Sequence, residues 1–141
     1  MATQLTKNFT LEEMSHSNTA KARNMKNEPN IEQTDNLFRL CNRLLQPLRE
    51  AYGEAFIISS GYRSPEVNKA VGGVPTSQHM KGQAADVSVK DPRKLLAALL
   101  RSGLDFDQAI LYQDGRNNFL HMSYNSGHNR KQVLYSKGTK P

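Results

Sequence analysis

From Ile31 onward, apolar residues return at three- and four-residue steps: Leu37, Phe38, Cys41, Leu44, Leu45, Leu48 and Tyr52. Positions so spaced share one face of an α-helix, so the pattern predicts an amphipathic helix running to about Tyr52. Pro47 should bend or restart it, because proline has no N–H and its ring crowds the preceding turn. Gly53 should end it. A second helical pattern, Leu95, Leu96, Leu99 and Leu100, is capped by Asp91-Pro92 and stopped by Gly103. Thr10-Leu11-Glu12-Glu13 has the form of a capping box and predicts a short helix near the N-terminus. Ser64-Pro65-Glu66 starts another, with Val67, Ala70 and Val71 as its apolar edge and Gly72-Gly73 as its end. Ser15 to Asn30 is polar and only weakly periodic, which reads as loop.

Between the helices the period changes to two. Phe56-Ile57-Ile58-Ser59-Ser60 is a short, β-branched run that predicts a buried strand. Ala84 to Val89 alternates: Ala85, Val87 and Val89 point one way, and Ala84, Asp86 and Ser88 the other. Ala109 to Tyr112 and Phe119 to Tyr124 predict two strands joined by a turn through Asp114-Gly115. On the second, His121 and Ser123 share the face opposite Leu120 and Met122. Val133-Leu134-Tyr135 is a further edge-strand candidate in an otherwise polar tail. Val74 to Gly82 reads as loop. Helices mixed with strands in this order predict an α+β fold, and 141 residues without a repeat or linker predict one domain spanning 1–141.

Composition narrows the function classes. No run of apolar residues is long enough to span a bilayer, and Met1 to Thr10 has no apolar signal-peptide core. The expectation is a chain made in the cytoplasm, with no membrane partner. A single cysteine, Cys41, excludes an intrachain disulfide and falls on the apolar stripe of the long helix. The net charge of +6 draws the surface toward polyanions, including an acidic cell wall. No basic run exceeds two residues and aromatics do not interleave with them, so nucleic acid is not the expected partner. A monomer is expected.

The candidate chemistry lies between Ser59 and Asp86, with one residue far downstream. Asp86 is on the polar face of a strand; His79 is in the loop seven residues before it. Gly82, Ala84 and Ala85 are small enough for that loop to fold back. His121, on the polar face of another strand, completes a set if the two strands are neighbours. Two imidazoles and a carboxylate suit zinc, and they leave a fourth position for water. The ion would keep a net positive charge and acidify that water. The spacing alone leaves the bland reading open, in which Asp86 caps a turn and both histidines are ordinary polar residues.

Ser77-x-His79-x-x-Gly82-x-Ala84-x-Asp86 resembles the zinc signature of the M15 metallopeptidases, the D-Ala-D-Ala carboxypeptidase-like group. Ser60-Gly61-Tyr62-Arg63-Ser64 upstream and Phe119-Leu120-His121-Met122-Ser123 downstream are similar to two further hallmarks of that family, in the same order. The likeness runs from about Phe9 to Tyr124. It implies a small α+β domain of the Hedgehog/D-Ala-D-Ala peptidase type, with helices packed around an antiparallel sheet. It implies zinc on His79, Asp86 and His121, with peptidoglycan peptides as substrate. The activity implied is carboxypeptidase or L-alanyl-D-glutamate endopeptidase, as in phage endolysins. Arg63 falls on the family's arginine, expected to bind substrate or its polarised carbonyl. Ser77 falls on a hydroxyl expected to hold substrate or to orient His79.

One position departs from the resemblance. Many family members have a glutamate three residues before the last histidine, acting as general base, and here Asn118 stands there. An amide cannot accept the proton. Asp107, just before a strand, is the candidate base in its place; Asp114, beside Gly115, reads as a turn residue, and His128 as a surface residue. The missing glutamate also supports a second class of function, a non-catalytic zinc-containing module that binds cell-wall peptides. A lysin without a leader would reach the wall through another protein's membrane lesion.

Overall fold

The computed structural model describes residues 3–141. Its centre is a five-stranded sheet in the order β1-β2-β4-β3-β5. The strands are β1 (Ile57–Ser60), β2 (Ala84–Ser88), β3 (Gln108–Gln113), β4 (Asn118–Ser123) and β5 (Gln132–Tyr135). The first four pair antiparallel, as expected, but β5 pairs parallel with β3 and makes the sheet mixed. β1 is an edge strand rather than a buried one. Ile58 faces the core at 7% exposure while Ile57 stands out at 70%.

Register sorts the side chains into two faces. Val87, Leu120 and Leu111 align across β2, β4 and β3, as do Ala85, Met122 and Ala109. All six are fully buried and form the core face. α6 (Pro92–Ser102) packs on it and also on α4 (Gln46–Tyr52), and the long helix shares the same core. Leu95 and Leu99 of α6 are fully buried, whereas Leu100, expected inside, is 53% exposed. The opposite face carries Asp86, His121 and Ile110 in one row.

The long helix shows how the chain accommodates Pro47. α3 (Ile31–Leu40) passes into a π turn, Cys41–Leu45, before α4. Gln46 N–H donates to the Cys41 carbonyl, five residues back. The wider turn replaces the α-helical spacing that the proline ring and its missing N–H would break. Leu37, Leu40, Cys41, Leu44, Leu45 and Leu48 stay fully buried through the change, so the expected apolar stripe survives, apart from Phe38 at 46% exposure.

Near the N-terminus, α1 (Leu11–Ser15) starts at Thr10, whose hydroxyl accepts from Glu13 N–H at 3.1 Å. The stretch read as loop holds a short helix, α2 (Asn18–Ala22), capped by the Ser17 hydroxyl. α5 (Pro65–Ala70) starts at Ser64 as expected. No described helix is long and apolar enough to cross a membrane.

Candidate metal centre

His79 is carried by a single 3-10 turn, Gln78–Lys81. One short turn has little intrinsic stability, so its neighbours fix it. The Ser77 hydroxyl caps it, accepting from His79 N–H at 3.2 Å. α3 holds its carbonyls: Gln33 Nε2 donates to Met80 O at 3.2 Å, and Asn36 Nδ2 to Lys81 O at 2.8 Å. Gly82 closes the turn in the left-handed region, at φ +74°. The imidazole is oriented from its far side, where Nδ1 lies 2.7 Å from the Gly61 carbonyl. A carbonyl only accepts, so Nδ1 bears a proton and Nε2 is the ring atom left for another partner.

That nitrogen faces Asp86. His79 Nε2 is 3.3 Å from Asp86 Oδ1, and His121 Nδ1 is 2.9 Å from the same oxygen. The β2–β4 register sets Asp86 directly opposite His121. The two imidazoles meet edge to face, with centroids 5.1 Å apart. One ligand atom from each of the three residues lies within 4.8 Å of the others. A nitrogen lone pair and a carboxylate oxygen so close repel each other unless a proton or a cation lies between them. In a tetrahedral zinc site, with bonds of about 2.0–2.1 Å, neighbouring ligand atoms are about 3.3 Å apart. The donor set and the His79–Asp86 distance fit zinc, while His121 at 2.9 Å sits at hydrogen-bond distance from the same oxygen.

The Asp86 carboxyl is 7% exposed. Burial pushes its pKa up, but hydrogen bonds from His121 and His79 and their charges outweigh this and hold it below the usual carboxylate range. Its second oxygen accepts from Arg63 Nη2 at 3.2 Å. Arg63 is itself fixed: Nε donates to Ser60 Oγ at 3.0 Å and Nη1 to Asn68 Oδ1 at 3.3 Å. Asn68, 3% exposed, is anchored in turn to the Val74 carbonyl at 2.9 Å.

These residues open onto a cleft of about 1080 Å³. Tyr112 and Phe119 line it as a stacked pair, 4.3 Å between centroids. Burial, and then the charge of Asp86, push the Tyr112 hydroxyl pKa up.

A family model described as Peptidase M15 matches residues 7–123. The chain belongs to the peptidase M15 family. Peptide-bond hydrolysis is thus its expected chemistry, and M15 peptidases are generally zinc-dependent. His79, Asp86 and His121 all fall within the matched stretch. No match was found among curated proteins.

The other expected residues separate. Arg63 and Ser77 both line the cleft, the first against Asp86 and the second bonded to the His79 backbone. Asp107, the expected base, also lines it, and its carboxylate is engaged by other partners. Its carboxylate accepts from Arg130 Nε at 2.7 Å, Arg130 Nη2 at 3.0 Å, Arg130 N–H at 3.1 Å and Gln78 Nε2 at 2.8 Å. The Arg130 guanidinium, outweighing burial, holds the Asp107 pKa down at about 2. A carboxylate so occupied has little tendency to take a proton near neutrality. Asn118 donates to the Val89 and Lys90 carbonyls, and Asp114 accepts from the Arg116 and Asn117 amides within a turn. His128 is exposed and at the cleft edge. Sequence reasoning missed Gln78, Asn68 and the Gly61 carbonyl. Only Gln78 carried a signal, its place beside His79.

Proposed function

We propose that this M15 peptidase is zinc-dependent and hydrolyses peptide bonds of peptidoglycan stem peptides. The observation that carries the reading is the convergence of His79 Nε2 and His121 Nδ1 on one oxygen of Asp86. Bound by these three, zinc supplies a Lewis acid that acidifies water and polarises a carbonyl.

The chain's own residues do the rest. Asp86 and the Gly61 carbonyl orient the two imidazoles toward one point. Arg63 has five N–H donors, and Ser60, Asn68 and Asp86 take three of them, leaving two for a ligand. A guanidinium already fixed in place stabilises the carbonyl oxygen as negative charge develops there, without reorganising. The Tyr112–Phe119 stack gives one wall of the cleft an apolar surface for the substrate chain. Ser77 keeps the His79 backbone in place, and it lines the cleft.

A second reading, a wall-binding module without turnover, is favoured by one feature. Asp86 and Asp107 are the carboxylates among the described residues that line the cleft, and both are engaged. Metal analysis combined with mass spectrometry of digested muropeptides separates the readings. The expected result is about one zinc per chain and new amine termini. His79→Ala, Asp86→Ala and His121→Ala should lose both metal and turnover, while Arg63→Ala should keep the metal and lose most turnover. Co-sedimentation with the wall and no new termini would support the binding module. Full hydrolysis by the His79→Ala protein would rule out the metal site.

A further inference from the structure

The two histidine-bearing segments are joined by a second route that bypasses Asp86. Asp107 lies just before β3, and its backbone is pinned on both sides. Asp107 N–H donates to the Ser123 carbonyl at 2.8 Å, and Gln132 N–H donates to the Asp107 carbonyl at 3.0 Å. Ser123 is the last residue of β4, two positions beyond His121. From this anchored backbone the carboxylate reaches across the cleft to Gln78, the residue before His79. We propose that Asp107 is a positioning residue: through Gln78 it braces the His79 turn against the strand that carries His121, and so sets the separation of the two imidazoles. The consequence for metal affinity rests on the zinc reading above; the brace itself does not.

The physics favours a mechanical role. A metal site holds its ion tightly only if its ligands wait at the right separation, because any reordering is subtracted from the binding free energy. β4 is the central strand, paired on both sides, whereas the His79 turn is a single four-residue 3-10 turn. The Arg130 guanidinium and backbone amide saturate the remaining lone pairs of Asp107. Held this way, a side chain 1% exposed stays ionised and in a single rotamer, so the bond it offers Gln78 is charge-assisted. Arg130 also fastens the 124–131 loop to the same carboxylate, so both walls at this end of the cleft depend on one residue.

The test uses the full chain, zinc ion as ligand, and the variants Gln78→Ala, Asp107→Asn and the double. Gln78 is half-buried, and its removal cuts only the brace. Zinc affinity, from competition with a chromophoric chelator, should fall about tenfold in Gln78→Ala, the low end for residues that orient metal ligands. The melting temperature of the metal-free protein should stay close to wild type. Asp107→Asn should lose a similar factor, and the double variant no more than the worse single. In metal-free Gln78→Ala, amide exchange of Ser77 to Lys81 should rise while α3 and α6 stay protected. Unchanged zinc affinity and exchange in folded Gln78→Ala would overturn the proposal, as would losses that multiply in the double variant. If Asp107→Asn does not fold, Gln78→Ala decides alone. If the wild type binds no zinc, the metal reading fails, and exchange in the metal-free proteins still judges the brace.

Discussion

Replacing Gly82 with alanine tests how the His79 turn is held. Gly82 has φ +74°, and a Cβ built on it would lie 2.4 Å from the Gln33 carbonyl oxygen and 3.2 Å from its carbon. Two costs follow. An L-residue in the left-handed region costs about 1–2 kcal/mol. Relieving the clash means moving the turn away from α3, and forced shifts of packed backbone cost about 1–3 kcal/mol. The sum is about 2–5 kcal/mol, and in a domain of this size each kcal/mol lowers Tm by about 3 °C. The expected loss is about 6–15 °C. Gly103 supplies the control: it has φ +73° but nothing within 4 Å of a Cβ, so Gly103→Ala meets only the conformational cost, about 3–6 °C. Thermal melts of both variants, with zinc competition alongside, isolate the close approach. Gly82→Ala should also weaken zinc binding, since Gln33 and Asn36 then lose their grip on Met80 and Lys81. Equal melting temperatures for the two variants, or unaltered zinc affinity in Gly82→Ala, would refute the reasoning.

Acid stability should report on the buried carboxylates. The Asp107 pKa is depressed to about 2, so its stabilising effect is complete above the unfolded value near 4 and disappears as pH falls through 2. After allowance for solvent screening this is about 1–2 kcal/mol, and urea midpoints of Asp107→Asn should fall less than those of wild type between pH 5 and 2. Asp86, also depressed, should add to the loss in the metal-free protein over the same acid range. Cys41 is fully buried, and its thiol pKa is pushed up to about 12 by burial and then by the charge of Glu13. It should stay inert to a disulfide-exchange reagent in native protein and react only at the rate of unfolding; rapid labelling would contradict the packing of the π turn.

At the site, a period of two assigned faces, while the reading of those faces as a metal set came from the family resemblance. Alternation along Ala84 to Val89 put Asp86 opposite the core, and the same logic put His121 there; the β2–β4 register then brings them together. Patterns fail where the deciding contact is remote. Phe56 to Ser60 is apolar, but whether such a run lies at the centre or the edge depends on which strands pair with it. β5 is a four-residue strand, and nothing local to Val133-Leu134-Tyr135 fixes its direction against β3. α2 is too short to show a periodic stripe, and it stands on one cap and one buried alanine. Asp107 drew notice as an acid before a strand, yet its role depends on Arg130, far along the chain, and on Gln78 across the cleft.

Under the proposed zinc reading, the charges around the cleft bear on how a centre without a glutamate at position 118 would act. Arg63, Lys81 and Arg130 line it, against Asp86 and Asp107. Both carboxylates are already matched, Asp86 by Arg63 and the imidazoles and Asp107 by Arg130. A divalent ion added to two imidazoles and one carboxylate would leave the centre positive, and each acid already has a cationic partner in Arg63 or Arg130. Such a positive, partly desolvated site would favour anions: the hydroxide form of water, the oxyanion of an attacked carbonyl and, on the proposed function, the free carboxylates of stem peptides. A further carboxylate at the cleft would ease proton removal but weaken that field, so Asn118, bonded to the Val89 and Lys90 carbonyls, moves the balance toward binding negative charge. On this argument the chain relies more on electrostatic stabilisation of the transition state than on a strong protein base, which is why the fixed guanidinium of Arg63 carries so much of the proposed mechanism.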